Sequence, residues 1–143
     1  MEDDTIRLLR ECNAGVKMGI SALDELLDDV HDPHLKELML ASKETHTKLG
    51  KDTLTCLQEY GDDGKEPNPL AKMMSKAKTN LKMAADGSDN RIADLLTEGC
   101  DMGIRSLYKY LNQYKAANDD VKKLTKDIIH AEETLRMDLH DYL

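Results

Sequence analysis

Apolar residues recur along the first stretch of the chain at spacings of three, four and seven: Ile6, Leu9, Val16, Ile20, Leu23, Leu27 and Val30. Positions so spaced share one face of an α-helix, and they predict a first helix from about Asp4 to His31. Asp32-Pro33 should stop it, because the residue before proline is pushed out of the α region. Asp32 can then cap a second helix with Pro33 at its first position, running to about Tyr60. Gly61-Asp62-Asp63-Gly64 supplies a left-handed terminus. A short third helix is expected from Leu70 to about Ala85, begun by Asn68-Pro69, lined by Leu70, Met73, Met74, Ala77, Leu81 and Met83, and broken by Asp86-Gly87-Ser88. The long pattern returns with Ile92, Leu95, Leu96, Ile104, Leu107 and Leu111, predicting a helix over about Asp89–Lys115. A last helix from Asn118 to the end uses Val121, Leu124, Ile128, Leu135 and Leu139. Helices of about 25 residues reach roughly 37 Å, a length suited to an elongated bundle.

Self-comparison sharpens this layout. Lys17-Met18-Gly19-Ile20-Ser21-Ala22-Leu23 and Asp101-Met102-Gly103-Ile104-Arg105-Ser106-Leu107 agree at four of seven places. Gly15 falls on Gly99 and Leu27 on Leu111. After a two-residue adjustment in the turn, Leu35-Lys36 falls on Val121-Lys122, Leu38 on Leu124, Leu49 on Leu135 and Asp52 on Asp138. The expected architecture is one all-α domain over 1–143. Two repeated helical hairpins, about 4–60 and 89–143, are joined by a linking helix at about 69–85 in a four-helix bundle with pseudo-twofold symmetry. Gly15, Gly99, Gly19 and Gly103 each cost about 1 kcal/mol inside a helix relative to Ala. Close packing of the first long helix on the third long one is the expected compensation.

Composition narrows the function. The chain has 143 residues, no Phe or Trp, and eight Met. One core of aliphatic side chains and Met follows. A net charge of −8 argues against nucleic acid as a partner, since affinity for phosphate comes from clustered Lys and Arg; the stripe Lys72, Lys76, Lys78, Lys82 reads as a solvated face. No run approaches the roughly 18 uncharged apolar residues that span a bilayer, and the acidic start is unlike a signal peptide, so a cytoplasmic protein is expected. Cys12, Cys56 and Cys100 are widely spaced and form no Cys-x-x-Cys pair. Reduced, half-buried packing residues are the expectation. No phosphate loop or nucleophile elbow is present, which leaves hydrolase and transferase readings without support and makes an enzyme the less favoured assignment.

A repeated hairpin with a crossover resembles the ferritin-like superfamily. Leu124-Thr125-Lys126-Asp127-Ile128-Ile129-His130-Ala131-Glu132-Glu133-Thr134-Leu135 looks like the final helix of bacterioferritins and rubrerythrins. Asp32-Pro33-His34-Leu35-Lys36 and the layout that follows it are similar to a small bacterial ferritin-like family of unknown function, related to spore-coat ferritin-like proteins. The resemblance spans nearly the whole chain and implies a di-iron site of one Glu from each of two helices and Glu-x-x-His from each of the other two. This sequence departs from that set. Glu132 stands at a Glu position, but Leu135 occupies the expected His, while the other hairpin places His46 opposite Glu132 and Leu49 opposite Leu135. Asp101 is a candidate carboxylate whose repeat partner is Lys17.

Two functions follow as expectations. One is a structural or protein-interaction module with no cofactor, in which Tyr108, Tyr110 and Tyr114 could anchor a homodimer or another protein partner or merely pack at the core boundary. The other is a metal-binding or oxidant-defence protein with a reduced ligand set, His46 and Glu132 helped by Asp101, holding one Zn, Mn or Fe ion. His130 and His140 read as solvated, and His31 and His34 flank the Asp32-Pro33 turn. The methionines of the linking helix are expected in the core.

Overall fold

The computed structural model describes residues 2–62 and 88–143. All regular structure among them is helical: α1 (Glu2–Leu27), α2 (Pro33–Glu59), α3 (Asp89–Gln113), α4 (Asp119–Asp138) and a closing 3-10 turn, His140–Tyr142. The expected linking helix, with Met73, Met74 and Met83 and the lysine stripe, lies outside the described residues.

The helix boundaries follow local chemistry. Asp32 Oδ1 accepts the backbone N–H groups of His34 and Leu35 at 2.8 and 3.0 Å, with Pro33 beginning the helix as expected. These bonds satisfy donors that a helix start leaves without partners. Gly61 ends the first hairpin at a φ of 74°, the left-handed conformation that glycine adopts without a Cβ penalty. α1 stops at Leu27, four residues before the expected His31. Asp28 and Asp29 place negative charge at the negative end of the helix. Beyond them the N–H groups of His31 and Asp32 are taken at 2.8 and 2.9 Å by the carboxylate of Asp89, at the first turn of α3. α3 is capped by Ser88, whose Oγ accepts from Arg91 N at 3.2 Å, a residue the sequence assigned to the preceding break.

Contacts at the ends set the direction of each helix. The Asp89 bonds join the start of α3 to the turn before α2. At the opposite end Asp4 accepts from Ala116 N at 3.1 Å and Thr5 Oγ1 from Asn118 N at 2.9 Å, joining the start of α1 to the α3–α4 turn. Arg10 pairs with Asp62 and Tyr60 bonds to Asn118 at that same end. α2 and α3 therefore run parallel, as do α1 and α4, and residues 62 and 88 sit at opposite ends of the bundle. α1 packs on α2 and α3, α4 packs on the same two, and α1 also meets α4 across the bundle.

The interior holds two apolar clusters instead of one continuous core. Leu8, Leu9, Cys12, Val16, Leu57, Ile104, Leu107, Val121, Ile128 and Ile129 build the first. Leu23, Leu26, Leu35, Met39, Ile92, Leu96, Cys100, Leu135 and Leu139 build the second. On α1 the fully buried face includes Leu8, Cys12 and Leu26, while Ile6, Ile20, Leu27 and Val30 of the predicted stripe are half-buried. A helix touching three neighbours buries a wider arc than one periodic stripe marks.

The four paired glycines divide into two kinds, which corrects the expectation that all of them serve helix-on-helix packing. A Cβ on Gly15 or Gly99 would meet nothing within 4 Å, whereas Gly19 and Gly103 face side chains at mid-bundle. The close approach of helices falls at Gly50 of α2, where a Cβ would lie 3.1 Å from Val16 Cγ1. Gly15→Ala and Gly99→Ala are expected to raise the unfolding free energy by about 0.5–1 kcal/mol each, through helix propensity alone. Urea titration checks this, and a loss at either position would mean a contact is missing from this description.

Candidate functional site

Between the two clusters α2 and α4 bring together a buried histidine and a buried glutamate. His46 is 0 % exposed and Glu132 8 %. His46 follows Met39 and precedes Leu57 on the buried face of α2, and Glu132 stands between Ile129 and Leu135 on that of α4, so each helix delivers one polar side chain to one level. Imidazole Nε2 lies 2.6 Å from Glu132 Oε1. The other ring nitrogen, Nδ1, is 2.8 Å from the carbonyl oxygen of Ser42, one turn earlier in α2.

Glycines make room for this pair. A Cβ on Gly19 would lie 2.9 Å from His46 Cδ2 and 3.1 Å from Nε2, and one on Gly103 would stand 3.7 Å from Glu132 Oε2. The Cys100 thiol, on α3, donates to the Glu132 carboxylate. Burial and this neighbouring charge push that thiol well above its usual range. Burial also works against a charge on His46, but the hydrogen bond and charge of Glu132, with the Ser42 carbonyl, outweigh it and raise the imidazole above its ordinary value.

A carbonyl oxygen only accepts, so Nδ1 carries a hydrogen and donates to Ser42. At 2.6 Å the Nε2 and Oε1 lone pairs cannot face each other bare, so a second proton lies between them. The site thus holds one proton shared between the imidazole and the Glu132 carboxyl group, with no net charge, between apolar layers.

Of the three predicted metal ligands the structure joins His46 to Glu132 and keeps Asp101 apart. Asp101 is 56 % exposed and bonds Arg136 Nη1 at 3.0 Å, because its place on α3 lies one residue past the inward-facing Cys100. Cys100 is the contributor that sequence reasoning missed. Its one legible signal was its spacing three residues before Gly103, on the same helical face. Cys12 is fully buried rather than half-buried and lies 3.2 Å from Thr125 Oγ1, with burial pushing its thiol up to about 12. Cys56 matches the half-buried expectation. His31, His34, His130 and His140 are exposed.

The three tyrosines do not share one surface. Tyr110 and Tyr114 stack with ring centroids 6.2 Å apart and pack against the first apolar cluster, and Tyr110 bonds Glu11. Tyr108 points outward at 48 % exposure.

Among the described residues no group of three His, Cys, Asp or Glu side chains is placed to hold a metal ion, and the residues present do not fit a di-iron set. No helix of the described residues is long and apolar enough to cross a membrane. No family model, curated protein or solved structure matches the chain.

Proposed function

We propose that this chain is a ferritin-like bundle of two related hairpins that lacks a complete di-iron centre and serves as a structural or protein-interaction module. One observation carries the reading: His46 and Glu132, which self-comparison sets at corresponding places, satisfy each other directly at 2.6 Å. Three residues onward, where the resemblance calls for histidine, Leu49 packs against the first apolar cluster and Leu135 is buried in the second. Parallel α2 and α3, with residues 62 and 88 at opposite ends of the bundle, agree with the single long crossover of ferritin-like bundles. Leu40, Met102, Tyr108 and Met137, 46 to 63 % exposed, leave apolar surface for docking to a second copy or another protein. Light scattering coupled to size-exclusion chromatography tests the self-association form. A mass of twice 16.1 kDa supports it, and a clean monomer restricts the reading to a partner of different sequence.

A second reading, one Zn, Mn or Fe ion on His46 and Glu132, draws on the orientation of the ring. Anchoring Nδ1–H on a backbone carbonyl aims Nε2 toward Glu132, where an ion could replace the shared proton, the arrangement common among metal-bound histidines. Elemental analysis of untagged protein separates the two. Metal near one equivalent per chain, abolished by His46→Ala, would establish the second reading; substoichiometric background is the outcome expected here.

A further inference from the structure

We infer that His46 and Glu132 decide which hairpin pairs with which. They stand at the centre of a nearly symmetric union, direct the α1–α2 hairpin onto the α3–α4 hairpin, and exclude pairing of either hairpin with its own counterpart in a second copy of this chain. The assignment rests on the metal-free reading above, because an ion would bridge two like groups as readily as two unlike ones.

Self-comparison sets Gly19 on Gly103 and, in the same register, Thr5 on Asp89; past the turn it sets Asp32 on Asn118 and His46 on Glu132. The contacts repeat with this correspondence. At one end Thr5 Oγ1 accepts from Asn118 N at 2.9 Å, and at the other Asp89 Oδ2 accepts from Asp32 N at 2.9 Å. Midway, Gly19 faces His46 and Gly103 faces Glu132. The pseudo-twofold axis so defined passes between His46 and Glu132, where α2 meets α4.

Pairing two copies of one hairpin would preserve most of this union. At the ends a side-chain oxygen, of Thr5 or Asp89, would still meet a backbone N–H. The apolar layers are interchangeable too, since Leu23 falls on Leu107, Leu35 on Val121 and Leu49 on Leu135. Glu11–Tyr110 and Tyr60–Asn118 also join the hairpins, but at half-buried or exposed positions where water can replace a lost partner. Only the centre forbids exchange. Like hairpins would set imidazole against imidazole, each ring already tied through Nδ1 to its own Ser42 carbonyl at 2.8 Å, or carboxyl against carboxyl, between apolar layers. A buried polar group facing its like has no complement, and that is costly. Buried polar residues set partner choice in coiled coils by the same means, against alternatives that apolar packing alone would allow.

The test refolds chelator-treated full-length protein from urea at about 1 mM chain, where a second copy competes with the tethered partner on roughly equal terms. Wild type is compared with His46→Leu combined with Glu132→Leu. Lysine cross-linking of mixed isotope-labelled and unlabelled chains gives the readout. Lys48 is exposed on α2, two residues past His46, and can be joined to Lys48 of a second copy when α2 packs on α2. Pairing of like hairpins should fall below about one in a hundred pairings for the wild type and reach about one in three for the leucine variant. The Lys48–Lys48 link should therefore rise by about thirtyfold or more. A wild type rich in that link overturns the inference, and so does a folded leucine variant with no more of it than the wild type. If the leucine variant fails to fold, His46→Met with Glu132→Met makes the same comparison with a more adaptable side chain. Elemental analysis before chelation is read separately: an ion there defeats the metal-free reading, whereas a variant without like-hairpin links defeats only the pairing role.

Discussion

His46→Ala should cost about 3–5 kcal/mol of folding stability, the range for removing one partner of a buried ion pair. Most of this comes from what is left behind. Glu132 is 8 % exposed and would keep only the Cys100 thiol as a donor, in a site closed by apolar clusters on either side. Stabilities of ordinary domains lie at about 5–15 kcal/mol, so the variant should be marginal or unfolded at room temperature. The companion measurement is His46→Leu combined with Glu132→Leu. With both charges gone the two clusters can join into one apolar core, and replacement of a whole buried pair is commonly neutral or stabilising by about 1–4 kcal/mol. The double variant should therefore recover most of the loss in urea or thermal denaturation. A His46→Ala loss below about 1 kcal/mol would mean the pair is open to water, contrary to the burial described.

Gly19→Ala should be the most harmful of the glycine substitutions, although alanine is the better helix former by about 1 kcal/mol. Its Cβ would sit 2.9 Å from His46 Cδ2, and the ring cannot retreat because both of its nitrogens are tethered. Overpacking of this kind costs about 1–3 kcal/mol, enough to outweigh the propensity gain. At Gly103 the nearest atom would be 3.7 Å away, an ordinary contact, and alanine there should be tolerated. A double-mutant cycle gives the sharpest readout: in the His46→Leu, Glu132→Leu background, which should stay folded, the tethered ring is gone, so Gly19→Ala should no longer destabilise. If it remains destabilising there, its cost arises somewhere other than the imidazole.

The four long helices and most of their ends were readable from local pattern. Periodic Leu, Ile and Val mark a buried face wherever the helix packs, and Asp32-Pro33 and Gly61 act through their own backbone chemistry with little help from the rest of the chain. The early end of α1 was not readable in that way. Asp28 and Asp29 oppose the helix locally, but the turn beyond them is held by Asp89, more than fifty residues away, reaching back to the His31 and Asp32 amides.

The candidate site divides along the same line. Polar residues interrupting the stripe near His46, and the alignment of His46 with Glu132, are sequence facts that nominate the pair. Their contact, the exclusion of Asp101, the inclusion of Cys100 and the separate roles of the paired glycines were decided only in three dimensions. Helical periodicity states which residues share a face of one helix. It carries no information on the level at which another helix crosses it, and that level determines whether an acidic side chain meets an imidazole or, as Asp101 does, an arginine at the surface.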